Sequence, residues 1–414
     1  MCREIGAPRF PADGLTRICV AAGGGTVRVS GQVQWQAMQI ARVVLNRFRR
    51  FDTVQWSPSA GLNLLVGDNG AGKTSLLEAV HLLSYGRSFR GRVRDGLIQI
   101  GQMDLEVFAE WQDTVPGAEL PRRRKAGLRH AGQQWTARLD GEDVAQLGQL
   151  CAALAVVTFE PGSHALISGA GEIRRRYLDW GLFHAEPAFM TYWRRYSRAL
   201  KQRNALLKQG ASRSALEVWD HELAVAGEPL TAARLRYLDR LQDQVIRIAG
   251  GIAPSLHIVG MEFQAGWRRH EMPLADALLL AHERDRHQGF TSVGPHRADW
   301  TIRHAHLPGR ETLSRGQAKL TALCALLAQA ADLAEECGQW PVLCLDDPGS
   351  ELDQAHQGRI LDWLLERPVQ VLATATEVPP AFAARLPTVF HVEHEGRVTP
   401  QAGRTGAKDD AGII

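Results

Sequence analysis

Apolar residues occupy every second position from Leu105 to Trp111, within a stretch from 100 to 160 that alternates apolar and polar positions. A period of two predicts strands with one buried face, so this stretch is expected to be rich in β-structure. Another strand is predicted between Ile40 and Phe51, where apolar residues stand at positions 43, 44, 45, 48 and 51. The basic run 122–125, which lies between a proline and a glycine, predicts a solvated loop.

Strand and helix signals alternate in two other parts of the chain. The apolar run at 62–66 is followed by a glycine-rich turn and by a helix predicted from Lys73 to Tyr85. After residue 290 the pattern predicts helix 312–336, strand 342–345, helix 354–365 and strand 369–373. Short buried strands that alternate with helices are typical of an α/β domain.

Between 172 and 250 the period becomes helical. One predicted helix face carries aromatic and aliphatic residues from Tyr192 to Leu207, and a second runs from Leu235 to Ile248. Glu228-Pro229 is expected to separate these helices, because proline interrupts the hydrogen-bond pattern of a helix. No heptad is sustained beyond a few turns, which argues against a long coiled coil. The sequence therefore predicts an α/β domain split by a helical insertion.

These patterns divide the chain into five parts. Residues 1–37 contain three consecutive glycines and no sustained period, so they are expected to be a disordered extension, or a mis-assigned start that Met38 should replace. The other parts are an amino-terminal lobe (38–160), a helical arm (161–285), a carboxy-terminal lobe (286–400) and a flexible tail (401–414).

Composition restricts the class of protein without identifying it. The 414 residues are 45% hydrophobic and 22% charged, which excludes a largely disordered or fibrous chain. The formal net charge of +3 neither requires nor excludes nucleic acid as a partner. The six cysteines form no C-x-x-C pair, no apolar run reaches the roughly 18 residues of a membrane span, and no secretory signal begins the chain. A soluble cytoplasmic protein without membrane contact is expected.

The glycine-rich turn after the apolar run has the pattern G-x-x-x-x-G-K-[ST]. Its glycines let successive backbone N–H groups turn inward and surround a phosphate at the start of a helix. Lys73 would reach the β- and γ-phosphate oxygens of ATP, and the Thr74 hydroxyl would take one position around Mg²⁺. The candidate nucleotide-binding residues are Gly67, Asp68, Asn69, Gly70, Ala71, Gly72, Lys73 and Thr74.

A second apolar strand, 341–345, ends in two carboxylates. Asp346 suits the coordination shell of Mg²⁺, and Asp347 is placed to orient or deprotonate the attacking water. Lys73 and Asp347 are therefore the candidate catalytic residues, and Thr74 and Asp346 the candidate metal ligands.

A third motif stands at the start of the helix predicted after residue 312. Leu313-Ser314-Arg315-Gly316-Gln317 precedes the acidic strand, and Ser350-Glu351-Leu352-Asp353 follows it. On its own, Ser314 is only a good helix N-cap. Its place ahead of the acidic strand favours a role in nucleotide chemistry.

Taken together, these motifs resemble those of the ABC-type ATPases, and within them the SMC-like DNA-repair branch and its RecF family. The resemblance extends from about residue 38 to 376, in the order of the family. It is carried by Leu45–Arg49, Gly67–Thr74, Tyr85–Arg90, Arg174–Asp179, Thr291–Arg297, Leu313–Lys319 and Asp346–Asp353.

The resemblance implies an ABC-type (SMC/Rad50-like) head interrupted by an arm without a long coiled coil. It also implies that each ATP lies between the phosphate loop of one subunit and the signature Ser314, Arg315, Gly316 and Gln317 of another, with Asp353 in the D-loop. ATP would then favour a homodimer. Asp347 is one methylene shorter than the glutamate common in transporters, which predicts slow hydrolysis that acts as a switch.

The family's role implies binding to gapped DNA at junctions of single and double strands, and help in loading RecA together with RecO and RecR. Local charge points to the arm, because residues 172–213 hold ten Lys/Arg and three Asp/Glu. The candidate DNA contacts are Arg194, Arg198 and Lys201 on one helix face, and Arg87 and Arg90 after the first helix. A solvated charged face is the competing interpretation of that stripe, and Trp193 and Tyr196 are expected in the core of the arm.

The sequence departs from the family's pattern at four places. Gly162, Gly171, Pro348-Gly349 and Cys344 stand where other residue types are expected. Thr374 occupies the place of a switch histidine in transporter ATPases and receives no catalytic role. The alternatives are a transporter nucleotide-binding subunit, disfavoured by the basic insertion and the missing histidine, and a Rad50-like nuclease partner, disfavoured by the lack of a long coiled coil.

Overall fold

The computed structural model describes residues 17–20 and 26–29 by their backbone, and residues 36–91, 96–114, 121–306, 313–394 and 396–401 in full. The chain divides into two compact units, Met1–Trp35 and Gln36–Ile414. In the smaller unit, strands β1 (Arg17–Val20) and β2 (Thr26–Val29) pair antiparallel.

The described residues of the larger unit form sixteen strands and eleven α-helices. Its strands are β3 (Gln36–Ala37), β4 (Gln39–Phe48), β5 (Phe51–Trp56), β6 (Leu62–Val66), β7 (Asp104–Asp113), β8 (Arg122–Ala131), β9 (Gln134–Leu139), β10 (Glu142–Asp143), β11 (Val156–Phe159), β12 (Ile258–Gln264), β13 (Asp299–His304), β14 (Gln339–Trp340), β15 (Val342–Leu345), β16 (Val371–Ala375), β17 (Thr388–Val392) and β18 (Val398–Pro400). Its α-helices are α1 (Lys73–Tyr85), α2 (Leu147–Ala153), α3 (Ala165–Ser168), α4 (Gly171–Ala185), α5 (Phe189–Lys208), α6 (Arg213–Ile252), α7 (Leu274–Gln288), α8 (Arg315–Cys337), α9 (Pro348–Glu351), α10 (Gln354–Leu365) and α11 (Pro380–Ala383).

The core is a six-stranded sheet in the order β11-β15-β16-β6-β17-β18, parallel except for β18. Every residue of β6, β11, β15 and β16 is buried, because helices such as α1 and α8 cover the sheet. The carboxyl ends of parallel strands lie along one edge. The loops after β6 and β15 and the end of β16 therefore meet, which brings the phosphate loop beside the two aspartates.

A second sheet, in the order β10-β9-β8-β7-β4-β5, is antiparallel and confirms the β-rich region predicted from the period of two. The predicted loop at 122–125 is wrong, since these residues open strand β8. Two of the four charges are paired: Arg122 with Asp113 of β7, and Arg124 with Asp140 in the turn after β9. A basic run whose charges find carboxylates on a neighbouring strand and in the next turn needs no loop.

The arm consists of α4–α7 with the antiparallel pair β12 and β13. The predicted break at Glu228-Pro229 is wrong, because α6, which is 40 residues long, continues through Pro229. Leu223, Ala226 and Leu230 are buried on either side of the proline, so tertiary packing outweighs the missing hydrogen bond. The boundary predicted at residue 285 falls inside α7.

Elsewhere the predicted elements agree closely with the structure. The helices at 73–85 and 354–365 are confirmed, the helix predicted at 312–336 spans Arg315–Cys337, and the strand predicted at 369–373 spans Val371–Ala375. Among the described residues, no helix is long and apolar enough to cross a bilayer. The tail predicted from 401 lies, apart from Gln401, outside the described residues.

The prediction that 1–37 lacks structure is wrong at the residues that the structure describes, which form β1, β2 and β3. Gln36 and Ala37 form β3, which pairs parallel with β14, and the Gln36 side chain accepts a hydrogen bond from the Thr114 hydroxyl. Apart from these residues and the β1–β2 strands, the segment lies outside the described residues.

A chain that begins at residue 36, after an initiator methionine, should therefore be more stable than one that begins at Met38. The loss of β3 removes its hydrogen bonds with β14 and with Thr114, and we expect a difference of about 1–2 kcal/mol in the free energy of unfolding. Urea titrations of the two chains measure it. Equal midpoints would show that β3 contributes nothing, and nucleotide binding should be retained in both.

Candidate nucleotide-binding site

Steric contacts explain the glycines of the loop between β6 and α1. Gly67, Gly70 and Gly72 have φ values of +151°, +81° and +107°, which side chains rarely allow. A Cβ at Gly67 would lie 2.4 Å from the carbonyl oxygen of Val392, and one at Gly72 would lie 2.3 Å from the Phe51 ring. Only glycine fits these positions. The loop can therefore aim its N–H groups, and the start of α1, at an anion.

The Lys73 ammonium lies across this loop. Its Nζ donates hydrogen bonds to the carbonyl oxygens of Gly67 at 2.7 Å and Asp68 at 2.8 Å. Burial lowers the pKa of Lys73, while the charges of Asp347, Asp346 and Asp68 oppose that shift. The ammonium is thus held where phosphate oxygens would enter.

Asp346 joins the loop to two strands of the sheet. Its Oδ1 accepts hydrogen bonds from the hydroxyls of Thr74 and Thr374, each at 2.8 Å. Burial raises the pKa of the Asp346 carboxyl, the two hydroxyls oppose that shift, and neighbouring Asp347 adds to it. This oxygen-only pair of Thr74 and Asp346 fits Mg²⁺, which takes few protein ligands and keeps waters and phosphate oxygens. No cluster of three or more His, Cys, Asp or Glu suited to a metal occurs among the described residues.

Asp347 adopts a left-handed backbone conformation, with φ +47° and ψ +54°. A non-glycine residue persists there only when its surroundings hold it. The Asp347 N–H donates to Thr374 Oγ1 at 2.9 Å, and Ser350 Oγ donates to Asp347 Oδ2 at 2.7 Å. The strained turn thereby presents the carboxylate to the cavity beside Lys73.

These groups line a cavity of about 520 Å³, within the usual range for small-molecule sites. Four cationic side chains and one carboxylate face it, so its charge suits a polyphosphate. Its walls are formed by Arg49, Arg50, Asn69, Gly70, Gly72, Lys73, Thr74, Ser75, Arg90, Gly96, Ile98, Ile100, Asp347, Thr374 and Thr376.

The signature residues 314–317 are absent from that wall. Ser314 is the N-cap of α8: its hydroxyl accepts from the Gln317 N–H at 3.2 Å, and the Gln317 side chain accepts from the Ser314 N–H at 2.9 Å. A turn later, Lys319 forms an ion pair with Glu351 of α9. Asp353 caps α10 through the His356 N–H at 2.9 Å. The structure thus brings together the loop and the aspartates, and leaves the signature apart.

The candidate DNA contacts divide into two groups. Arg194, Arg198 and Lys201 are exposed on α5, and no described carboxylate lies within ion-pair distance of them. Arg87 and Arg90 are also exposed, and Arg90 in addition lines the cavity and lies 3.8 Å from Glu78. Tyr196 is buried as predicted and hydrogen-bonded to His296 at 2.7 Å, but Trp193 is 37% exposed.

Sequence reasoning missed several residues of the site. Arg49, Arg50 and Thr376 line the cavity, and Thr374, which received no role, bridges Asp346 and Asp347. The motif Leu45–Arg49 was the one available signal for the arginines. At the departures from the family's pattern, the Gly162 N–H donates to Glu160, Gly171 begins α4, and Cys344 is buried in β15.

Comparisons with known proteins agree with this geometry. Residues 39–395 match the family described as RecF/RecN/SMC N terminal domain. The chain is 66% identical over 367 residues to the DNA replication and repair protein RecF of Xanthomonas axonopodis pv. citri (strain 306), covering 88% of this chain and 99% of that protein. The chain belongs to the RecF family.

Solved structures extend the likeness to the fold of this RecF family member. The structure of the recombination mediator protein RecF-ATPrS in the RecFOR pathway aligns with a TM-score of 0.77 and 26% identity, covering 90% of this chain and all of that one. The SmcHead bound to the C-winged helix domain of ScpA aligns with a TM-score of 0.55 and 16% identity, covering 88% of this chain and 97% of that one. The predicted ABC-type, SMC-like head is confirmed.

The Thr374 hydroxyl should be essential to the geometry of the two aspartates. Thr374→Val keeps the side-chain shape but removes the hydrogen bonds to Asp346 and from the Asp347 N–H, so we expect ATP turnover to fall about tenfold or more. Nucleotide affinity, which depends chiefly on the loop, should change less. Thr374→Ser is the matched control and should retain turnover. Unchanged turnover in the valine variant would contradict this role.

Proposed function

We propose that this protein is an ATP-dependent, DNA-binding recombination mediator that acts in the repair and replication of DNA in the cytoplasm. One observation carries the proposal: Lys73, Thr74, Asp346 and Asp347 converge at the carboxyl edge of one sheet, beside a cationic cavity. Membership of the RecF family and relatives that are DNA replication and repair proteins support the cellular role, and disfavour a transporter subunit.

The residues divide the work of ATP hydrolysis among them. The loop N–H groups and Lys73 would hold the phosphates, and Thr74 and Asp346 would hold Mg²⁺, which neutralises phosphate charge. Asp347 would orient the attacking water or accept its proton. Since its side chain is short and tied to Ser350, we expect slow hydrolysis, weakly stimulated by DNA and used as a switch.

ATP would favour a homodimer. The start of α8 carries partial positive charge and is absent from the wall of its own subunit's cavity. A second copy could present Ser314 and its helix start to the γ-phosphate, and Asp353 would lie in the same contact region. Loss of that phosphate removes the partner of the helix start, so ADP would release the dimer.

DNA would contact the exposed stripe of Arg194, Arg198 and Lys201, with Arg87 as a further candidate. Because no carboxylate of the described residues lies within ion-pair distance of this stripe, its charge is available to phosphates. A preference for gapped DNA, cooperation with RecO and RecR, and help in loading RecA follow from the resemblance. The solved relative named as a recombination mediator in the RecFOR pathway supports the cooperation with RecO and RecR.

Ser314 can be tested apart from its capping role. Ser314→Asp keeps the N-cap, since aspartate caps as well as serine, but it would repel the partner's γ-phosphate. Ser314→Arg would crowd the same contact. We expect both variants to bind ATP as monomers with near-parental affinity and to form no ATP-dependent dimer in sedimentation experiments. Lys73→Ala is the contrasting variant, which should lose ATP binding itself. Dimerisation of Ser314→Asp with Mg-ATP would refute the composite site.

The basic stripe predicts a salt-dependent loss of DNA binding. In R194Q/R198Q/K201Q the slope of log K against log [salt] should fall in magnitude by about 2 to 3, while ATP affinity stays unchanged. The matched control is R268Q/R286Q/R303Q, because each of these exposed arginines already lies within 4.0 Å of a glutamate. Fluorescence titrations with gapped duplex DNA at several salt concentrations measure the slope for both variants. Equal slopes in the two variants would place the DNA elsewhere.

A further inference from the structure

A carboxylate lies buried beneath the nucleotide cavity. Glu78 follows Lys73 on α1 by about one and a half turns, and its side chain has no exposed surface. Residues 75–84 of this helix are all buried. A carboxylate in such a place requires cations and hydrogen-bond donors around it. Its partners all come from segments that form the cavity wall.

Arg49 is the first partner. Its Nε donates to Glu78 Oε2 at 2.9 Å and its Nη2 to Oε1 at 2.6 Å, which is a two-pronged pair. Arg49 stands in the turn between β4 and β5 with φ +56°, a region that non-glycine residues rarely adopt. The pair thus fixes both a strained turn and a guanidinium that lines the cavity.

Ser88 and Arg90 are the other partners. The Ser88 hydroxyl donates to Glu78 Oε1 and accepts from the Arg90 N–H at 2.9 Å. The Arg90 guanidinium lies 3.8 Å from Glu78 Oε2 and also lines the cavity. One carboxylate therefore anchors the backbone of Arg90 through Ser88 and attracts its side chain directly.

We infer that Glu78 is a positioning residue of the nucleotide site, which orients Arg49 and Arg90 toward the phosphate groups. This inference rests on the proposed ATP binding at the cavity. Arginine binds phosphate through a planar fork whose direction matters, and anchoring it beforehand lowers the entropy lost on binding. Glu78 lowers the positive charge near the cavity, so its contribution is orientation and not attraction.

Glu78→Gln distinguishes orientation from attraction, because the two predict opposite changes in ATP affinity. The substitution keeps the volume and raises the net positive charge near the cavity. If charge alone governed binding, ATP would bind more tightly. Because the amide cannot accept both arms of Arg49, we expect ATP affinity to fall about tenfold or more, at a temperature well below the melting point.

The experiment is a titration of the full chain with ATP beside a melting curve. Asp285→Asn is the matched control: it disrupts a fully buried pair with Arg203 (2.6 Å) in the arm, away from the cavity. It should lower the melting point at least as much as Glu78→Gln, yet keep ATP affinity within about twofold. Parental or tighter ATP binding by Glu78→Gln would overturn the inference.

A second comparison tests whether Glu78 acts through the two arginines. Added to R49Q/R90Q, the substitution E78Q should change ATP affinity by less than about twofold, since its effect has already been removed. A further tenfold loss would show that Glu78 supports only the helix. If E78Q does not fold, E78D replaces it in both experiments. The expected loss of ATP affinity is then about threefold, and parental ATP affinity would count against the inference. If the parent chain fails to bind ATP, the proposed function is refuted. If the parent binds ATP and the Glu78 variant binds it with the same affinity, this inference alone is refuted.

Discussion

The Asp346 carboxylate is shared by two threonine hydroxyls, and the geometry of the whole site depends on that sharing. Thr74 belongs to α1, which follows β6, while Thr374 belongs to β16 and Asp346 itself follows β15. These three strands are neighbours in the order β15-β16-β6. One buried oxygen therefore fixes the positions of the phosphate loop, the turn after β15 and strand β16 relative to one another. A shift of any one of them would leave a carboxylate in a medium of low dielectric without its donors.

Local signals in the sequence predicted the central part of the site. The phosphate loop and the helix from Lys73 to Tyr85 follow from a contiguous pattern of glycines, one lysine and buried apolar residues, and the acidic strand end is equally local. The contact of Glu78 with the two arginines could not be predicted from the sequence, and neither could the contacts of Thr374. Glu78 and Arg49 are 29 positions apart in the chain, and no periodicity connects them. Contacts across such separations become visible only when the fold brings the segments together.

Two of the wrong predictions about elements have related causes. The basic run at 122–125 was expected to be a loop because charge indicates solvent. In the structure, Arg122 pairs across the strands with Asp113 and Arg124 pairs with Asp140 in the turn after β9, so charged residues can lie in a strand. Pro229 was expected to end a helix because it removes a hydrogen bond. In α6 the packing of apolar residues on both sides of Pro229 outweighs that loss. In each case an interaction with another element decided the local structure.

Helix α6 also has a mechanical consequence. At 40 residues it is about 60 Å long, and its carboxy-terminal half is fastened to α8 by Arg240–Asp332 at 3.0 Å and Gln244–Glu335 at 2.6 Å. Its other half packs against α5, which carries the basic stripe. The contacts with α8 are therefore the point about which α6 would tilt. From Arg240 to the start of α6 the helix extends about 40 Å, so a tilt of about 5° there would displace the far end by roughly 3.5 Å, about two thirds of the rise of one helical turn. A small rotation of α8 would therefore be enlarged at the end of the arm where α6 packs against α5.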